Sequence, residues 1–252
     1  MESYSKFIFY SIKASLFLML TVVLIGLVRL TDNYLKWGIF GVDGYEMSSI
    51  FMFFIAALVM FKSVRNYFLQ HFIKIRKKNL VMAICISIFL GIGLQISISF
   101  LANFINVFNP DLIKPGSDQY VSAGNLSAEG ELIIVGLLGP FNEEVLFRLL
   151  AYVYFFSLLN KCKDKLMGFK RVNDESEEKD KYFKILWLII SNILFVMYHG
   201  GDITNFWVYF IPGVIYGTLF IKYGFFAAWI GHSAFNVISN NTHKIMVCLF
   251  GG

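Results

Sequence analysis

Apolar positions run along this chain in long, nearly unbroken stretches, and each stretch predicts a helix that crosses a bilayer. They cover residues 7–30, 47–61, 80–108, 131–159, 182–199, 205–221 and 224–239. A hydrocarbon core about 30 Å thick takes about 20 apolar residues to cross, which most of these runs reach or approach. The short run at 245–250 cannot cross, and reads as an extension of the last helix or an interfacial segment. The predicted fold class is all-α. A polytopic bundle of seven to eight membrane helices is expected, as a single membrane domain over residues 1–252 with any site in the bundle core.

Composition agrees with the pattern. The 252 residues are 57% hydrophobic and only 15% charged, which excludes a water-soluble domain of this size. A net charge of +5 does not point to nucleic acid, because the basic residues sit in short segments between apolar runs. Lys62, Arg65, Lys74, Arg76, Lys77 and Lys78 separate runs two and three, and Lys161, Lys163, Lys165, Lys170, Arg171, Lys179 and Lys181 separate runs four and five. The alternate connections hold Lys36 and Lys114 as their only basic residues. By the positive-inside rule the first set is cytoplasmic, and so is the amino terminus. Residues 160–181 mix their lysines with six acidic residues and read as a solvated, charged cytoplasmic loop. Cys85, Cys162 and Cys248 are too scattered to suggest a disulfide or a thiolate metal site.

Ionisable groups inside apolar runs carry the candidate chemistry, because a charge at the bilayer centre is tolerated only toward protein or a wet cavity. Lys13 is near a membrane end, and its stem can return the ammonium to the headgroups. Glu143 and Glu144 have no such escape. Arg148 is four residues beyond Glu144 on the same helical face and can pair with it, while Glu143 is turned about 100° away and is free to face something else. Gly139 and Pro140 weaken the helix just before them. His199 follows Phe195 by four residues and His232 precedes Asn236 by four, so each pair shares one side of its helix. With a rise of about 1.5 Å per residue, Glu143, His199 and His232 all fall between the midplane and the outer third of the bilayer.

These residues form three ordered motifs. Glu143, Glu144 and Arg148 stand in EEVLFR, Phe195 and His199 in FVMYH, and His232 and Asn236 in HSAFN. Together they resemble the CPBP family, the CAAX-protease and bacteriocin-processing membrane peptidases also called Abi proteins, with a catalytic core over residues 131–240. Leu149 departs from the glycine that many members have after the arginine. The resemblance implies an intramembrane endopeptidase acting on membrane-associated peptides or proteins. It makes Glu143 the general base, His199 the residue orienting the water, and His232 and Asn236 the oxyanion donors, with Glu144, Arg148 and Phe195 in support. Such donors are worth most where water is excluded.

Cofactor use stays open at this point. Glutamate catalysis needs no metal, whereas Glu143, His199 and His232 are also an acceptable zinc donor set, though no HExxH helix is present. Peptide processing or bacteriocin self-immunity in a bacterial plasma membrane is the expected setting. Two other classes compete: a carrier, since buried Glu, His and Arg also build proton relays, and a non-catalytic regulatory scaffold. Against a carrier, the polar residues cluster in the carboxyl-terminal half with no counterparts in the first.

Overall fold

A computed structural model describes residues 2–39, 44–72, 77–106, 126–166, 176–201 and 206–250. Every regular element among them is helical. In order these are α1 (Glu2–Leu35), α2 (Gly44–Met60), α3 (Lys62–Phe72), α4 (Lys77–Asn106), α5 (Ala128–Ile133), α6 (Gly139–Glu143), α7 (Ala151–Leu166), α8 (Ser176–Tyr198), α9 (Phe206–Tyr223) and α10 (Phe225–Phe250). Two π-helical segments, Ile134–Leu138 and Glu144–Leu150, join α5 to α6 and α6 to α7, so one winding backbone runs from Ala128 to Leu166.

The burial pattern is that of a protein whose solvent is lipid. Large apolar side chains such as Phe9, Leu18, Met19, Phe89, Ile193 and Met197 face outward, while Ser48, Ser87, Glu144, Arg148, Ser191 and Asn192 are buried. Polar groups turn inward because hydrocarbon offers them no hydrogen bonds. The chain is an integral membrane protein.

Four helices are long and apolar enough to cross, at Ile8–Leu35, Lys77–Ile98, Lys181–Tyr198 and Phe206–Tyr223. The bent pair Glu46–Met60 and Lys62–Gln70, at 102°, makes a fifth if taken as one span. Seven were expected. The two that fall short are the ones loaded with polar residues: the stretch through Glu143, Glu144 and Arg148, which π-helical turns also interrupt, and α10 with His232 and Asn236. The run at 245–250 extends α10. The charged stretch read as a loop at 160–181 is helical at both ends, with α7 reaching Leu166 and α8 starting at Ser176; residues 167–175 lie outside the described residues.

The helices form two compact units, Met1–His71 with Tyr120–Asn142, and Phe72–Gln119 with Glu143–Gly252. In the first, Phe17 of α1 packs edge-on against Phe53 and Phe61, and Phe141 fits against Phe51 and Phe54 of α2. Arg65 explains the sharp bend between α2 and α3, since its Nη1 donates to the Leu58 and Val59 carbonyls that the end of α2 leaves open, at 3.3 and 3.4 Å. Lys13 lies over the face of Phe61, 5.1 Å from the ring centre, and so has an aromatic partner as well as a route toward the headgroups. Ser127 caps α5 by accepting from the Gly130 N–H at 3.1 Å.

In the second unit small residues let helices close on one another. Ala83, Ser87 and Gly91 repeat every four residues along α4 and face α10, where Gly231 sits against Ser87 and Ala83 and the Phe235 carbonyl sits against Gly91. Further along the same seam Gln95 Nε2 donates to Ser239 Oγ at 2.6 Å. On the other side Gly213 and Gly217 of α9 repeat the spacing toward α8, and a Cβ on either would run into Asn192 or Leu188 respectively.

Candidate active site

The second unit brings together residues from three separated stretches of sequence. Glu143 ends α6 and Glu144 opens the π-helical segment after it. Hydrogen bonds from i to i+5 spread each turn over more residues, so successive side chains are rotated less than in an α-helix. The two carboxylates consequently reach the same imidazole. His232 Nδ1 lies 2.9 Å from Glu144 Oε1, and its Nε2 lies 3.6 Å from Glu143 Oε2. The α-helical reading paired Glu144 with Arg148 and left Glu143 to face another group; that His232 is shared by both carboxylates is added by the structure.

His199 reaches the site because α8 stops there. The carboxyl-terminal turn closes with Gly200 N–H on Met197 O at 3.1 Å and Gly201 N–H on Val196 O at 2.9 Å, with Gly200 at φ +64°. That is the glycine-dependent helix stop called a Schellman motif, and it leaves His199 as the last residue before the chain turns. The His199 Nδ1–H donates to the Phe195 carbonyl at 2.9 Å, and its Nε2 lies 3.6 Å from Glu143 Oε2. A carbonyl can only accept, which fixes the proton on Nδ1 and turns Nε2 toward Glu143. Both imidazoles therefore present Nε2 to one carboxylate oxygen.

Beneath this point lies a fully enclosed polar knot. Glu144 and Arg148 are each 0% exposed, with Arg148 Nε 3.6 Å from Glu144 Oε2. The guanidinium also donates to Ser191 Oγ at 3.4 Å, to Asn192 Oδ1 at 3.2 Å and to the Gly213 carbonyl at 3.0 Å, and it sits 5.2 Å from the Phe195 ring centre. Asn192 is itself tied to α8 by donating to the Leu188 carbonyl at 2.7 Å. A planar five-donor fork can make such a set of contacts where an ammonium cannot. Glu143 is more open, at 17% exposed.

Aromatic rings wall the imidazoles. Tyr216 stacks on His232 with centroids 4.1 Å apart and planes at 15°, and Tyr209 stacks on His199 at 4.8 Å and 25°. Phe195 touches both, at 4.4 Å from His199 and 6.0 Å from His232. Asn236 is half-buried one turn beyond His232 on α10. Sequence reasoning missed Ser191, Asn192, Tyr209 and Tyr216. Adjacent Ser191 and Asn192 within an otherwise apolar helix were a readable signal, whereas the tyrosines stand among many aromatics and gave none.

One carboxylate and two imidazoles are donors that zinc accepts, yet among the described residues no group of three or more His, Cys, Asp or Glu is arranged to hold a metal ion. The donor set does not fit as placed, and no step below passes through a metal. Beside the site, an open groove of about 900 Å³ runs between α7 and α8, lined by apolar residues including Leu146, Phe147, Leu150, Leu194 and Tyr198. Phe147 and Tyr198 pack on each other there, and their rings also touch Phe195 and His199.

Residues 127–238 match the family described as type II CAAX prenyl endopeptidase Rce1-like. No curated protein and no solved structure matches the chain.

Proposed function

We propose that this chain, whose residues 127–238 match the Rce1-like family, is a membrane-embedded endopeptidase in which Glu143 activates the water that cleaves the peptide bond. The observation that carries the reading is the approach of two imidazole Nε2 atoms to one oxygen of Glu143, each at 3.6 Å. Glu143 Oε2 is buried and makes no hydrogen bond among the described residues, so it is an acceptor that an entering water would satisfy. Glu143 takes one of its protons, His199 Nε2 accepts a hydrogen bond from the O–H that remains, and the oxygen attacks the scissile carbonyl. His232 and Asn236 stabilise the oxyanion as it forms, with the His232 ring held in place by its Nδ1 contact to Glu144. Glu143 then returns its proton to the departing amine.

Charge supports this division of labour. Glu144 and Arg148 compensate one another, so protonation of Glu143 leaves the buried cluster balanced apart from the imidazoles. Phe195 contributes packing under both histidines. Residues 131–240 are the catalytic core in this reading.

The substrate is a membrane-associated peptide or protein, for which the apolar groove beside Phe147 and Tyr198 offers an approach from the bilayer. Processing of a small peptide or bacteriocin self-immunity at a bacterial plasma membrane, with the amino terminus cytoplasmic, is the proposed setting. Purified protein given a membrane-tethered reporter peptide should cleave it, and Glu143→Ala should not. Uptake of a solute into vesicles without cleavage would instead identify a carrier, and full complementation of a deletion by Glu143→Ala and His232→Ala would identify a scaffold.

A further inference from the structure

Helix α9 carries none of the three motifs, yet it meets both imidazoles. Tyr209 and Tyr216 are seven residues apart, which is close to two helical turns and places them on one face. The upper ring lies nearly parallel to His199 and the lower nearly parallel to His232, with centroids at 4.8 and 4.1 Å. We propose that Tyr209 and Tyr216 are positioning residues that set the planes of the two imidazoles and so hold both Nε2 atoms on Glu143.

A histidine's second side-chain torsion is broad and roughly two-fold, so the ring is not oriented by its own covalent preference. The hydrogen bond at Nδ1, to Phe195 O in one case and Glu144 Oε1 in the other, fixes one atom of each ring. A ring pinned at one atom still tilts about that contact. A flat surface against its face removes the tilt, and the stacked tyrosines are such surfaces. Gly213 and Gly217, on the turns between and after them, let α9 closely approach α8, the helix that ends beside His199. The face of the ring does this work, and phenylalanine at either position isolates it from any contact of the hydroxyl.

This inference rests on Glu143 as the water-activating group, and the test separates the two. For full-length protein acting on a membrane-tethered peptide, kcat and KM are measured for Tyr209→Leu, Tyr209→Phe, Tyr216→Leu and Tyr216→Phe beside Glu143→Ala. The leucine variants should lose kcat by about tenfold or more with KM held within about twofold, since a misplaced catalytic group slows the step without weakening binding. The phenylalanine variants should recover kcat to within about threefold of the parent. Leucine variants as fast as the parent, beside an inactive Glu143→Ala, overturn the role of the tyrosines and leave Glu143 in place. Phenylalanine variants as slow as the leucine variants also overturn it, because the hydroxyl would then be the active feature. A fully active Glu143→Ala overturns the reading beneath both. Tyr216 is buried, so if its leucine variant does not fold, half-exposed Tyr209 decides the matter by the same comparison.

Discussion

Arg148 and Glu144 are both sealed from solvent and lie one turn apart in a π-helical segment, their facing atoms 3.6 Å from each other. Neither charge is tolerable there without the other, and the guanidinium additionally ties the α6–α7 backbone to α8 and α9 through Ser191, Asn192 and Gly213. The pair is thus the mechanical base on which Glu143 and His232 rest.

Removing one partner should therefore damage the fold before it damages chemistry. Arg148→Ala leaves Glu144 buried with His232 as its remaining partner, a loss of up to roughly 3–5 kcal/mol for a broken buried pair. Arg148→Lys keeps the charge but cannot fork to three acceptors, and should fall between. Thermal unfolding in detergent should rank parent, lysine and alanine in that order; an alanine variant as stable as the parent would remove the pair from its structural role.

Glu143 behaves differently because it is the more open carboxylate and its facing partners are the imidazoles. Glu143→Ala should lower cleavage by about 10²-fold or more, the usual scale for a positioned base, while inserting and unfolding like the parent. Quantitative cleavage of a tethered peptide by well-inserted variant protein contradicts the assignment.

The glycines of α9 should not be equally sensitive. At Gly213 a new Cβ meets Asn192 Oδ1, which is held between Arg148 and the α8 backbone, whereas at Gly217 it meets the alkyl tip of Leu188. Gly213→Ala is expected to cost about 1–3 kcal/mol, as overpacking does, and Gly217→Ala less. Equal losses in a denaturation series would show that the hydrogen-bonded amide gives way as easily as an alkyl tip.

Water activation by Glu143 also makes a statement about metals. Prolonged chelation should leave the cleavage rate unchanged within about twofold, because the proposed proton transfers need only side chains. Loss of activity on chelation and its return with added Zn²⁺ would transfer the role of Glu143 to a ligand.

Much of this arrangement was legible in the sequence, for identifiable reasons. Long apolar runs are strong signals, and ionisable residues inside them stand out because hydrocarbon penalises them; that is how Glu143, Glu144, Arg148, His199 and His232 were found together. Spacing worked where the backbone was regular, as in the Phe195 and His199 pair at the end of α8. It was silent on one point at Glu143: seven residues of π-helix leave no periodic trace, so the sharing of the His232 imidazole by both carboxylates could not be read from spacing. Ser191 and Asn192 were passed over because they are uncharged, though they hold the guanidinium. Tyr209 and Tyr216 were invisible for the opposite reason: in a chain with 18% aromatic residues, two more tyrosines make no contrast. The charged 160–181 stretch was read as loop from its composition, and helix at both ends shows that solvated charge and helical backbone are compatible.

The π-helical segment Glu144–Leu150 fits a surplus residue into its span, as such bulges do. Its length is therefore a register setting: one deletion inside it would relax the backbone to ordinary winding and swing Glu143 around relative to everything downstream. A chain shortened there by a single amino acid would keep its hydropathy and most of its motif letters while losing the alignment of its two carboxylates on one imidazole.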